Sequence, residues 1–179
     1  MGVPIVSIRP ARIEDADAIA AIYAHHVAHS TASFDTKPRT ARATADNIAG
    51  CGARGWPFLV AERDGRVLGY AYATQFRDRP AYASTCENSI YLDPTAVGQG
   101  IGTSLLEALV KASERAGFRQ MIAVIGGAEP ASIALHRKLG FREAGRMVSV
   151  GRKHGRWLDT VYLQLPLGDG DATPPPVEP

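Results

Sequence analysis

Four sets of residues in this sequence have types and spacings that could do chemistry. The first is Glu87, a lone carboxylate in the otherwise uncharged run Thr85 to Leu92. If that run is a strand, Glu87 shares a face with Ser89 and Tyr91. A carboxylate there is either an edge charge in water or a functional group. The second is His136, next to Leu135. Such a histidine is more often a packed residue than a catalyst, although imidazole can also hand over a proton near neutral pH. The third is the loop Val97-Gly98-Gln99-Gly100-Ile101-Gly102-Thr103. A helix that begins there presents unpaired N–H groups and a partial positive charge, and glycines let backbone approach an anion. The loop lacks the Gly-Lys-Ser/Thr of a Walker motif, and its glycine spacing misses Gly-x-Gly-x-x-Gly. Alone it supports an anion site or an ordinary glycine-rich connection. The fourth is Arg77-Asp78-Arg79, which by spacing reads as a solvated charged loop, though guanidinium groups suit paired recognition of carboxylate oxygens.

The elements that would position these groups follow from apolar periodicity and turn residues. Val6 to Arg9 reads as a strand. Glu14 to His29 has helical spacing through Ala16, Ile19, Ala20, Tyr23 and Val27. Thr40 to Cys51 is a weaker helix. Phe58 to Glu62 and Val67 to Thr74 flank Asp64-Gly65 as a hairpin. Thr85 to Leu92 is a strand ended by Asp93-Pro94. The helix from about Ile101 to Ala116 carries the stripe Ile101, Leu105, Leu106, Leu109. Gln120 to Ile125 is a buried strand, and Pro130 to Leu139 a short helix stopped by Gly140. Arg146 to Gly151 and Trp157 to Leu165 form a last pair of strands. The order β-α-α-β-β-β-α-β-α-β-β predicts an α/β or α+β fold, a mostly antiparallel sheet flanked by helices.

Composition narrows the function classes. The 179 residues suit one domain, and a net charge of +2 with interspersed signs argues against nucleic acid. No apolar run approaches the ~18 residues needed to span a bilayer, and no signal peptide is visible. The chain starts Met-Gly but has Val6 where myristoylation wants Ser or Thr. Cys51 and Cys86 make no metal spacing and no disulfide framework, which fits free thiols in the cytoplasm. No metal site and no membrane partner are expected. The histidines 25, 26, 29 and 154 read as surface or packing residues. Residues 168–179, rich in Pro, Gly and Asp, are expected to be a disordered tail after a domain over 1–167.

Glu87-Asn88-Ser89-Ile90-Tyr91-Leu92-Asp93-Pro94 followed by Gly98 to Leu106 resembles the cofactor motif of the GNAT acetyltransferases. Ser132-Ile133-Ala134-Leu135-His136-Arg137-Lys138-Leu139-Gly140-Phe141 resembles that superfamily's second motif. Thr31-Ala32-Ser33-Phe34, Arg79-Pro80-Ala81-Tyr82 and Lys153 to Asp159 are similar to markers of its phosphinothricin and methionine sulfone acetyltransferase branch. The resemblance spans about Ile8 to Leu165.

It implies an acetyl-CoA-dependent N-acetyltransferase acting on the α-amino group of a small anionic amino acid or analogue. Backbone of Ile90, Tyr91 and Leu92 would pair with the pantetheine arm, and the Tyr91 N–H would polarise the thioester carbonyl. Gly98, Gln99, Gly100, Ile101, Gly102 and Thr103 would hold the pyrophosphate, with Ser132 and Lys138 as further cofactor contacts. Glu87 would be the base and His136 the acid that delivers a proton near the CoA sulfur. Phe34, Arg77, Arg79, Tyr82, Asn88 and Ser89 would form the acceptor site. The branch also implies a homodimer. Two positions depart from the family pattern: Val97 replaces an Arg or Gln, and Glu129 replaces an Asn. An ionised carboxylate cannot donate a hydrogen bond, so position 129 is a doubtful cofactor contact. A GNAT enzyme for a protein N-terminus or polyamine remains an alternative, though Arg77 and Arg79 oppose a polycation. A non-catalytic acyl-CoA-binding module is another.

Overall fold

A computed structural model describes residues 6–175. Eleven regular elements follow the expected order: β1 (Ser7–Pro10), α1 (Ala16–His29), α2 (Ala41–Ala53), β2 (Phe58–Arg63), β3 (Arg66–Gln75), β4 (Thr85–Leu92), α3 (Ile101–Arg115), β5 (Gln120–Gly126), α4 (Pro130–Lys138), β6 (Arg142–Lys153) and β7 (Arg156–Pro166). The strands form one seven-stranded sheet in the order β1-β2-β3-β4-β5-β7-β6. Every neighbouring pair is antiparallel except β4 with β5.

Two apolar clusters sandwich the sheet. Ile19, Tyr23 and Val27 of α1 and Ile48 and Cys51 of α2 pack on Phe58, Val60, Tyr70 and Tyr72. On the other face, the stripe Ile101, Leu105, Leu106 and Leu109 of α3 packs on Ala71, Ala73, Met121, Ala123 and Leu163, with Ile133 and Leu135 of α4 beside it. Ends are set locally. The Thr40 hydroxyl caps α2 by accepting from Ala43 N at 3.1 Å.

β6 is longer than its apolar pattern predicted, because it breaks register twice against β7, between Glu143 and Gly145 and between Met147 and Gly151. Those bulges erase the alternation that sequence reading relies on. Within the expected tail, residues 168–173 form turns and bends, and Arg119 Nη2 donates to Thr173 Oγ1 at 2.6 Å and to Pro174 O at 3.0 Å. The remainder of that expected tail, 176–179, lies outside the described residues. Among the described residues no helix is long and apolar enough to cross a membrane, and no group of three or more acidic, Cys or His side chains could hold a metal.

Candidate active site

The sheet forks at the parallel pair. β4 runs beside β5 from Thr85–Gln120 to Asn88–Ala123 and no further. β4 continues to Leu92 along β3, while β5 continues to Gly126 along β7. In an antiparallel ladder the polar groups of alternate residues face the same neighbour. Phe76 N donates to Thr85 O at 3.0 Å, and Asp93 N to Leu68 O at 2.8 Å. The odd-numbered residues of β4 therefore face β3, and Ile90 and Leu92 face the fork. This corrects one expectation: the Tyr91 N–H is turned to β3, opposite Tyr70. The N–H groups available to polarise a carbonyl in the fork are those of Ile90 and Leu92.

Past the open edge the chain enters the glycine loop. Gly98 and Gly100 have φ of 79° and 78°, a left-handed backbone that favours glycine, and a Cβ at either would meet nothing within 4 Å. Gly100 begins α3 without a side-chain cap, so the first-turn N–H groups of a 15-residue helix face outward with its dipole behind them. Gln99 folds away: its Nε2 donates to Thr95 O at 2.8 Å, and its Oε1 accepts from Arg63 Nη2 at 2.9 Å. Lys138 Nζ donates to Thr103 Oγ1 at 3.4 Å, which brings a positive charge to the same end. Exposed Val97 adds no donor. Backbone and Lys138 thus make a cradle that fits a pyrophosphate. Gly102 serves packing instead, since a Cβ there would meet Leu92 Cδ1 at 3.3 Å and Leu135 Cδ2 at 3.5 Å.

Glu87, Ser89 and Tyr91 share the α1–α2 face, opposite Thr74, Tyr72 and Tyr70 of β3. The Glu87 side chain is 33% exposed, with Arg77 Nη1 at 3.8 Å. Burial pushes its carboxyl above the usual range, and Arg77 opposes that shift. Gln75 brings the arginine loop to this lip, donating through Nε2 to Arg77 O at 2.7 Å and to Arg79 O at 2.9 Å. The Arg77 guanidinium lies 4.0 Å over the Phe76 ring, which Tyr82 meets edge-on. Arg79, on the same loop, has no ion pair among the described residues.

Phe34 occupies the other lip. Its ring sits between two glycines, one on β5 and one on β6: a Cβ at Gly126 would lie 3.0 Å from Cδ1 and Cε1, and one at Gly151 would lie 2.6 Å from Cδ2. Lys153, 7% exposed, pins the loop behind it. Its Nζ donates to Ser33 O at 2.7 Å and Ser30 O at 3.1 Å. Sequence reasoning gave Lys153 no site role, because a lysine beside His-Gly reads as a solvated turn. It also passed over Arg39, which donates to Tyr72 Oη at 3.1 Å and lies over the Tyr23 ring, with no ion pair among the described residues.

Asn88 does not join the acceptor residues. Strand alternation turns it to the α3–α4 face, where it is buried. Its Nδ2 donates to Ile122 O at 3.3 Å, which leaves Oδ1 to accept from His136 Nε2 at 3.0 Å. His136 is 2% exposed. Its Nδ1 lies 2.8 Å from Ser132 O and 3.5 Å from Ser132 Oγ, and Phe141 packs edge-on against the ring. Both ring nitrogens face acceptors that only an imidazolium would satisfy together, while burial lowers the pKa and favours the neutral ring. The Ser132 side chain therefore faces the histidine on α4.

The structure thus gathers a carboxylate, an open helix N-terminus and a buried histidine around one fork in the sheet. The model of the acetyltransferase (GNAT) domain matches residues 8–162. The chain belongs to the GNAT acetyltransferase family. A phosphinothricin N-acetyltransferase from Alcaligenes faecalis is 48% identical over 170 residues, 94% of this chain and 86% of that protein. An L-methionine sulfoximine/L-methionine sulfone acetyltransferase from Pseudomonas aeruginosa is 38% identical over 172 residues, 94% of this chain and 98% of that protein. Among solved structures, a GNAT superfamily phosphinothricin acetyltransferase from Sinorhizobium meliloti in complex with AcCoA superposes with a TM-score of 0.93 at 48% identity, covering 95% of this chain and 92% of that one. The GNAT assignment agrees with the one parallel pair in an otherwise antiparallel sheet and with the helix that starts at the glycine loop.

Proposed function

We propose that this GNAT acetyltransferase moves the acetyl group of acetyl-CoA to the α-amino group of a small anionic amino acid or analogue, of the phosphinothricin or methionine sulfone/sulfoximine type. The observation that carries the reading is the fork, with the outward N–H groups of Ile90 and Leu92 on its open edge and Glu87 on its lip. The pantetheine arm lies along that edge and the pyrophosphate on Gly98 to Thr103, with Lys138 beside it. Relatives named for phosphinothricin and methionine sulfone support the acceptor class.

Glu87 takes a proton from the acceptor ammonium, directly or through a water. The freed nitrogen forms a bond to the thioester carbon, the C–S bond breaks, and the thiolate takes up a proton. A fork-facing N–H of Ile90 or Leu92 stabilises the oxyanion between those events. His136, as the imidazolium, is the proton source for sulfur; it releases its contact with Asn88, gives the Nε2 proton to the thiolate and returns to the neutral ring, which solvent re-protonates. Arg77 and Arg79 take the acceptor's anionic groups, and Phe34, Tyr82 and Ser89 shape its pocket. Partly buried Glu87, with a raised pKa, is a stronger base than an exposed glutamate.

The protein works as a cytoplasmic homodimer in this reading. The sheet's outer strand β6 and its neighbour β7 expose Met147, Val148, Val150 and Trp157, an apolar edge suited to a second copy. Free, buried Cys51 and Cys86 fit a reducing compartment.

The test is release of CoA thiol across an acceptor panel. Turnover is expected with phosphinothricin or methionine sulfone and not with polyamines or N-terminal peptides. Acetyl-CoA binding without turnover on any free amine would refute the enzyme reading.

A further inference from the structure

Helix α1 sends one histidine to the open edge of β4. His26 Nε2 lies 2.8 Å from Leu92 O, and its ring is tilted against Tyr91 with centroids 5.3 Å apart. A carbonyl oxygen only accepts, so the proton of this contact sits on Nε2. Burial lowers the His26 pKa, and neighbouring His25 works the same way; the Leu92 carbonyl and Glu129 oppose them. His25 and His29 do not share this placement; they lie against each other at the surface, rings 4.8 Å apart.

The peptide His26 touches is the last of β4. Its N–H, on Asp93, donates to Leu68 O at 2.8 Å, and its C=O, on Leu92, accepts from His26. Both ends of the peptide plane are therefore fixed, one by β3 and one by α1. By strand parity the C=O is the group that faces the fork, at a point where β5 has diverged. The Asp93 side chain then accepts from Thr95 N at 2.8 Å and pairs with Arg66, starting the turn toward Gly98. The Leu92–Asp93 peptide is the joint between the strand edge and the anion cradle. Its carbonyl has a second lone pair, which an amide N–H of an extended ligand can use as an added strand would.

We propose that His26 is a positioning residue for the acyl-CoA arm. By orienting the Leu92 carbonyl, it sets the register in which the pantetheine amides pair with β4 and the pyrophosphate then reaches α3. The inference rests on the acetyl-CoA reading above. It differs from a packing role, because only the N–H of the ring matters and not its bulk.

Calorimetric titration of wild type, His26→Gln and His26→Leu with acetyl-CoA and with S-acetylpantetheine tests it. Leucine removes the donor at similar size, and it should weaken both ligands by the same factor, about five- to tenfold, as loss of one net hydrogen bond implies. Glutamine, with an amide N–H, should recover most of that loss. Acceptor KM should stay within twofold in both variants. Equal affinity in all three proteins, a glutamine variant no better than leucine, or a loss confined to acetyl-CoA would each overturn the proposal. If the leucine variant melts too low to titrate, wild type against glutamine decides: glutamine more than threefold weaker refutes the donor role. Failure of wild type to bind acetyl-CoA would instead remove the acetyl-CoA reading itself.

Discussion

Replacing Gly151 by alanine tests whether the Phe34 clamp shapes the acceptor pocket. Gly151 lies on β6, opposite Leu158 of β7. The added methyl would sit 2.6 Å from Phe34 Cδ2 and 2.9 Å from Cζ. Phe34 Cε2 lies closer still to that position, and carbon atoms settle at about 3.5 Å or more, so the ring must retreat by more than about 1 Å. Sliding the other way would carry its opposite edge onto Gly126, whose Cβ position lies 3.0 Å from Cδ1 and Cε1. The ring must swing out of the notch. Overpacking of this kind costs about 1–3 kcal/mol of stability. Loss of one ordered aromatic contact, about 0.5–1.5 kcal/mol, predicts an acceptor KM raised about two- to tenfold. The assay is steady-state kinetics with each substrate varied, alongside chemical denaturation. Acetyl-CoA KM should not move, because its cradle is built on β4 and α3. Gly151→Ala combined with Phe34→Ala should be no worse than Phe34→Ala alone, since the two act through one contact. An unchanged acceptor KM in the single variant, or full additivity in the double, would refute the clamp.

Glu87→Gln should lower kcat/KM by about 10²- to 10⁴-fold, the usual worth of a general base, with calorimetric acetyl-CoA affinity unchanged. A base works deprotonated, so activity is present above the Glu87 pKa and is lost as pH falls through it. Burial raises that pKa, so the acid limb of kcat/KM should lie above that of an ordinary glutamate. Arg77→Gln removes the opposing cation and should move the limb to still higher pH; a shift to lower pH would show that Arg77 does not act on Glu87. Arg79→Ala should raise acceptor KM far more than acetyl-CoA KM, and equal effects would take the arginine out of the acceptor site. Lys153→Met leaves Ser30 O and Ser33 O without their donor; urea unfolding should show about 1–3 kcal/mol of lost stability, with a higher acceptor KM. Val148→Asp on the exposed edge should shift the species seen by light scattering from dimer to monomer.

Much of the fold was legible because local pattern and tertiary role agree. The Ile101, Leu105, Leu106, Leu109 stripe marks a helix, and the same residues are its buried face. Thr85 to Leu92 was bounded to the residue by Asp93-Pro94 at one end. Three features were not legible. Which neighbour the Tyr91 N–H faces depends on the register between β3 and β4, which the apolar pattern of either strand alone does not carry. Lys153 is buried and His26 half-buried by loops and helices that meet only in the folded chain. The misplacement of Asn88 has a different cause. Alternation within β4 already separated it from Glu87 and Ser89, and the family motif, read as a linear string, grouped what the strand divides.

The fork explains why these residues occur together. A sheet that stayed paired would place β5 backbone against Ile90 and Leu92 and leave no edge for a ligand. Something must therefore hold β4 and β5 together up to Asn88 and apart beyond it. The Asn88 amide does the first, bonding Ile122 O of β5 and His136 of α4 at the last paired residue. A polar latch at that point satisfies buried groups that would otherwise cost about 1–3 kcal/mol each. The second task falls to the elements that claim the diverging ends. Gly126 and Gly127 of the β5 end lie against Phe34 and Thr31 of the α1–α2 loop, so closely that a Cβ at Gly127 would come within 2.6 Å of Thr31 Cβ. On the other side, His26 takes the terminal carbonyl of β4. Helix α1 and the loop that follows it thus touch both arms of the fork. In the proposed binding mode, residues 26–34 border both the acetyl-CoA edge and the acceptor side. Substitutions at Gly127 should weaken both substrates, where those at Gly151 weaken only the acceptor.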